Sequence, residues 1–222
     1  RAPEPGLRAF SNGYFYTSGP VTAAVIRLTS YSRHRSMKLV PTLFVFALTF
    51  AAIACADPPK KVEFVTQVLE PTGGKIARPS DWFYAEAHRG PVYYWTISAE
   101  DTTVKRPYTT GVGIQTIVGV EKATGKTAEK FLADFVASKK REPNVTVIKT
   151  CDETRRGLFK RVCLETEEGD YHIMYSLFWG SDKMDVAVVV VAGTTKELWE
   201  THSSTFSKMA EFELIDMKRF EK

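Results

Sequence analysis

Three of the four histidines, His88, His172 and His202, fall in residues 57–222 and are the side chains there best suited to acid–base chemistry near neutral pH. They lie far apart, and none sits in an HxH or HExxH pattern that would place two imidazoles on one metal. His202 falls on the apolar face of a predicted helix and His172 between apolar neighbours of a predicted strand, so both read as hydrogen-bonded core histidines. Ser80, Asp81 and His88 supply the residue types of a nucleophilic triad, but no GxSxG elbow presents the serine. Gly125-Lys126-Thr127 ends like a phosphate loop, yet five residues, not four, separate it from Gly119. It reads as a turn and a helix cap. The acidic run Glu165 to Asp170 lacks the ordered oxygen spacing of a calcium loop and reads as a solvated hairpin tip. Asn144-Val145-Thr146 is a glycosylation sequon, which matters only in a eukaryotic secretory host. These residues call for no catalytic group, no metal and no cofactor. The expectation is a protein that works by binding. The alternative is a small secreted hydrolase with a histidine and carboxylate site.

Two further groups carry possible function. Trp82-Phe83-Tyr84 and Tyr93-Tyr94-Trp95 make an aromatic-dense region. Alternation along a strand puts only one set of these side chains into a core, and Tyr and Trp are the types that anchor binding surfaces. Trp82, Tyr84 and Tyr94 are the candidates for a ligand or partner groove. Cys151 and Cys163 form an even pair. In an oxidising compartment such a pair is expected to bridge, and a hairpin would set them opposite each other. A bridge of this ring size adds about 3 kcal/mol.

The compartment follows from Met37 to Ala56, MKLVPTLFVFALTFAAIACA. A Met, a Lys, an apolar run from Leu39 to Ile53 and then small residues read as an export signal. The run is shorter than the roughly 20 residues that a membrane-spanning helix needs. Two cleavage sites fit. Ala54-Cys55-Ala56 gives a mature start at Asp57. Ala52-Ile53-Ala54-Cys55 resembles a lipoprotein box, with Cys55 lipidated. Residues 1–36, rich in Arg and poor in acid, read as sequence upstream of the start. The other reading is a transit peptide, which would place the protein in a thylakoid lumen rather than a periplasm or the medium. Of 30 basic and 26 acidic residues, six basic and one acidic lie in the first 56, so residues 57–222 carry 24 and 25, a net of −1. That balance removes the main support for a nucleic-acid partner.

The remaining 57–222 suits a single domain. Strands are expected at Val62–Leu69, Val92–Ser98, Gly111–Val120, Val145–Cys151, Leu158–Thr166, Tyr171–Trp179 and Met184–Ala192, with a short extended piece at Lys75–Ala77. Ala128, Phe131, Leu132, Phe135 and Val136 share one face of a helix over Thr127–Lys140, capped by Thr127 and stopped before Pro143. A second helix is expected near Thr194, where Thr194-Thr195-Lys196-Glu197 fits a capping box. Leu198, His202, Phe206 and Met209 then share its face. Short glycine-bearing links imply antiparallel neighbours. The valine run in Met184–Ala192 does not alternate, so both its faces should be covered.

This order of elements, with the turn Pro79-Ser80-Asp81-Trp82 and the helix Ala128-Glu129-Lys130-Phe131-Leu132-Ala133-Asp134-Phe135, resembles the PsbP/Mog1/DcrB-like group. The resemblance covers nearly all of residues 57–222 and extends to a closing helix with Phe206-Ser207. It implies an α+β fold: an antiparallel β-sheet with helices on both faces, an α/β/α sandwich. It also implies a non-enzymatic adaptor or assembly helper whose partner is a protein or an envelope complex. It supplies no catalytic motif to carry over.

Overall fold

The valine run forms a strand whose neighbours bury it on both sides. Val186–Thr195 (β11) pairs antiparallel with Tyr171–Gly180 (β10) on one side and Gly111–Val118 (β7) on the other. From Val186 to Val190 every residue is buried. This computed structural model describes residues 62–102, 108–180 and 184–219, together with two dipeptides, Arg8–Ala9 (β1) and Phe15–Tyr16 (β2), that pair antiparallel. Residues 37–56, and with them the expected export signal, its expected cleavage sites and Cys55, lie outside the described residues. No helix among the described residues is long and apolar enough to cross a membrane.

Seven strands make the larger sheet. Their order is Phe83–Arg89 (β5), Val92–Ser98 (β6), β7, β11, β10, Phe159–Glu168 (β9) and Val145–Arg156 (β8). All their pairings are antiparallel. A second sheet of three strands, absent from the sequence expectation, joins Glu213–Ile215 (β12), Gly73–Pro79 (β4) and Phe64–Leu69 (β3). The short piece expected at Lys75–Ala77 is thus a seven-residue strand between two partners. Gly74 permits the junction. A Cβ there would stand 2.3 Å from the Glu213 and Leu214 carbonyl oxygens, so any side chain would drive β12 away.

The core residues fall into two clusters. Val188, Val190 and Ala192 of β11 pack with Trp95, Ile97, Val112, Ile114 and Phe178, with Leu69 and Ile76 of the small sheet, and with Phe206 and Met209 of Trp199–Met209 (α3). Ala187 and Val189, which alternate with them and so point the other way, pack with Leu164, Tyr175 and Leu177 and with Phe131, Leu132 and Phe135 of Ala128–Lys139 (α2). The α2 start is as expected: the Thr127 hydroxyl accepts from the Lys130 amide at 3.2 Å. Its last turn is tied down by Lys139, buried to 2 % exposure, whose Nζ reaches Glu168 at 2.9 Å and Glu142 at 3.1 Å. Tyr175 donates to the same Glu168 at 2.6 Å.

Two expectations are corrected. The helix expected near Thr194 begins at Trp199, after a 3-10 turn at Lys196–Leu198. Thr194 and Thr195 remain in β11, opposite His172 and Tyr171. The Thr194 hydroxyl pairs with that of Thr110 at 2.8 Å, and Thr195 makes no side-chain cap. Ladder pairing extends the strand past the local capping signal. Leu198, expected on the buried face, is left exposed in the 3-10 turn. The strand expected to reach Val120 stops at Val118. Gly119, at φ +72°, opens a short helix, Val120–Thr124 (α1), whose Val120 is fully buried.

Candidate functional site

The β8–β9 hairpin turns at Gly157, whose φ of +60° suits glycine. Its tip carries Leu158, an apolar residue left 47 % exposed. Below the tip the chain end returns through Phe212 and β12. Between them opens a groove of about 320 Å³. Its apolar wall is Leu158 and Phe159 of the hairpin, Phe178 of β10, Val188 of β11 and Met184. Phe212, Leu214 and Ile215 close the opposite side, with Phe178 and Phe212 edge to face at 5.7 Å. The volume is at the small end of the ~300–1,000 Å³ typical of small-molecule sites.

Two arginines lie near this groove, one in its lining and one against Phe178 of its wall. Arg156 lines the groove, lies 6.0 Å from the centre of the Phe212 ring, and donates from Nη1 to the Ala210 carbonyl at 2.8 Å. Arg161 faces the Phe178 ring at 5.6 Å and donates from Nη2 to Ser176 Oγ at 3.0 Å. Its Nε is buried and has no hydrogen-bond partner among the described residues. Burial, and secondarily the charge of Arg156, lowers the Arg161 pKa. Among the described residues neither guanidinium has a carboxylate within ion-pairing distance.

The three aromatic candidates do not meet. Trp82 is buried, with its ring edge-on to Phe206 and to His202. The turn before it is held by Arg78, which donates from Nη1 to the carbonyls of Pro79 and Trp82. Tyr84 packs on the same core and donates to Glu86 at 2.9 Å; burial first, then Glu86, raises its pKa. Tyr84 is opposite Ile97 on β6, so its side chain shares the face of Trp95 and Ile97. Tyr94, one residue from Trp95, points to the other face. Its hydroxyl would lie 3.0 Å from a Cβ on Gly113, and burial pushes its pKa up to about 12. The sheet therefore stands between Tyr94 and the other two.

The cysteines meet as expected. Cys151 and Cys163 are opposite each other in the β8–β9 register and are bonded, with Cα atoms 5.1 Å apart. His172 hydrogen-bonds through Nε2 to Glu165 at 2.7 Å, and its ring is stacked on Trp199. His202 is half-buried and packs on Trp82 and Phe206. His88 lies across the rings of Tyr93 and Trp95. Among the described residues no hydroxyl or thiol hydrogen-bonds a histidine ring, and no group of three metal-ligating side chains converges. Gly119 and Gly125 flank α1, with Thr127 as the cap of α2, so the phosphate-loop spacing is taken up by a helix.

Sequence reasoning missed the groove. The available signal was an apolar Leu158 beside a turn glycine, inside the basic set Arg155, Arg156, Lys160 and Arg161.

Comparison with known proteins finds likeness of fold. The chain is similar to the solution structure of cyanobacterial PsbP (CyanoP) from Synechocystis sp. PCC 6803, at 11 % identity over 72 % of this chain and 98 % of that one, with a TM-score of 0.45. It is also similar to the crystal structure of the Saccharomyces cerevisiae Ran-binding protein Mog1p, at 9 % identity over 71 % of this chain and 98 % of that one, with a TM-score of 0.42. PsbP and Mog1 are two of the names of the group that the element order resembles. No protein-family model and no curated protein matches the sequence.

Proposed function

We propose that residues 57–222 are one exported domain that acts by binding, as a helper of an envelope or membrane complex. Residues 37–56 are its export signal and 1–36 lie upstream. The larger sheet is the middle layer of an α/β/α sandwich. The separate packing of α2 and α3 with alternate residues of β11 supports that layering. The Cys151–Cys163 bond fits an oxidising destination.

One observation carries the binding reading: the apolar groove beneath the β8–β9 hairpin, lined by a single basic residue and by no histidine, serine or cysteine. It offers a place to hold a ligand, without the nucleophile and base that acyl transfer needs. A second reading has its own observation. His172 and Glu165 form a 2.7 Å pair, the orienting half of a hydrolytic site.

Two measurements separate the readings. Mass spectrometry of protein recovered from intact cells should find a mature start at Asp57. A lipidated Cys55 would make it an anchored protein, and an uncleaved 37–56 segment would sink export. A panel of ester, peptide and glycoside substrates should give no turnover. Turnover that disappears in His172→Gln would replace binding with catalysis.

A further inference from the structure

We infer that the groove beneath the β8–β9 hairpin takes a single-chain acyl carboxylate, its chain against Phe159, Phe178, Val188 and Phe212 and its head group at Arg156 and Arg161. This rests on the binding reading above and assigns its ligand class. Size argues first. At about 320 Å³ the groove suits a small, slender molecule better than a folded partner. Its walls are almost wholly hydrocarbon, so burying an acyl chain there releases ordered water at both surfaces.

Charge argues second. A guanidinium removed from water without a counter-charge is costly, and one left with an unbonded N–H more so. Arg161 meets this in part: it is half-buried over Phe178, a groove wall, with no carboxylate paired to it among the described residues, and its Nε is buried and unbonded. Arg156 spends one N–H on Ala210 and keeps the others of its fork. Both project from one face of the hairpin, since Arg161 is opposite Thr154 and Arg156 follows two residues on. One carboxylate between them would answer both, since arginine binds a planar carboxylate through paired N–H groups. The one acid of the lining, Glu213, is exposed on β12 opposite Lys75. It does not neutralise either arginine.

The test is calorimetric titration of the full chain with decanoate, beside the uncharged decanol and the tail-less acetate. Saturable binding of decanoate is expected, at least tenfold tighter than decanol, with no uptake of acetate. Arg156→Gln, at a surface position, should weaken decanoate at least tenfold and leave decanol unchanged. Leu158→Asp, at the exposed tip, should weaken both. Far-ultraviolet circular dichroism of each variant confirms that it is folded. Equal affinity for decanol and decanoate overturns the anion assignment but leaves a binding groove. Absence of saturable binding by either removes the groove as an acyl site. Turnover in the substrate panel would instead sink the binding reading, whatever decanoate does.

Discussion

His172 lies flat against Trp199, ring centroids 3.7 Å apart and planes 11° from parallel. The pair joins the start of β10, where His172 is opposite Thr194 near the end of β11, to the first turn of α3. Trp199 in turn contacts Phe206, a fully buried anchor of that helix. The imidazole is thus a packing surface with one edge satisfied by Glu165. Trp199→Ala should destabilise by about 2 kcal/mol, less than the ~3–5 of a fully buried aromatic because the indole is only partly covered. Leu198→Ala, one residue earlier and exposed, should stay within about 0.5 kcal/mol. Urea unfolding midpoints of the two variants check the contrast, and equal losses would mean that the stack is not what seats α3.

Lys139 supplies a second test. Its ammonium is enclosed and meets two carboxylates that are themselves mostly covered. Lys139→Met keeps the hydrocarbon stem but leaves Glu142 and Glu168 facing each other. Breaking one side of a buried pair costs about 3 kcal/mol or more. Adding Glu168→Gln to Lys139→Met should recover part of that loss. No recovery in the double variant would locate the penalty in packing, not charge.

The Cys151–Cys163 bond closes a ring across consecutive strands, at a sequence separation of 12. Restricting the unfolded chain by such a ring is worth about 3 kcal/mol. Reduction, or the double change to serine, should lower the thermal midpoint by several degrees, and a reductant should have no effect on the serine variant. A midpoint that ignores reductant in the unmodified protein would place the bond outside the folded state.

Tyr94 and His202 predict opposite ends of the pH range. Burial raises the Tyr94 phenol to about 12, against 10 when exposed, so between these values the unfolded chain loses its proton first. Stability should therefore be complete below pH 10 and decline as pH rises towards 12, and Tyr94→Phe should flatten that decline. Burial lowers the His202 pKa, with Glu100 opposing it more weakly. Here the unfolded chain gains a proton first. Stability should be complete above the usual histidine range and fall as pH drops through it, with His202→Gln removing that part of the slope. Denaturant midpoints against pH measure both, and unchanged slopes in the variants would refute the assignments.

Elements that bury one or two faces were legible from the residues. Val92–Ser98 and the α2 face repeat their hydrophobic residues at the period of the backbone, the valine run is apolar without a break, and they form the expected strands and helix. The edges of the larger sheet were legible only in part. Phe83–Arg89 is the outer strand β5 and mostly exposed, so burial imposes no alternation on it. The same holds for the far half of β8, where Asp152, Glu153, Arg155 and Arg156 extend a strand expected to stop at Cys151. Charges and irregular register also suit an edge that must not pair with other chains. The aromatic candidates were sound as residue types, but their grouping needed the registers that set Tyr94 on one side of the sheet and Tyr84 on the other.

By itself, then, the order of residues settled what each segment hides from water: the two-sided β11, the apolar face of α2, and a cysteine pair one hairpin apart. Those are local properties, written in an unbroken apolar run, a 3.6-residue period and a spacing. The groove is another matter. Phe159, Phe178, Val188 and Phe212 come together through the registers of two strand pairs and the return of β12 onto β4. Periodicity states that a side chain is to be covered; only the folded chain decides by what, and where the cover is left incomplete.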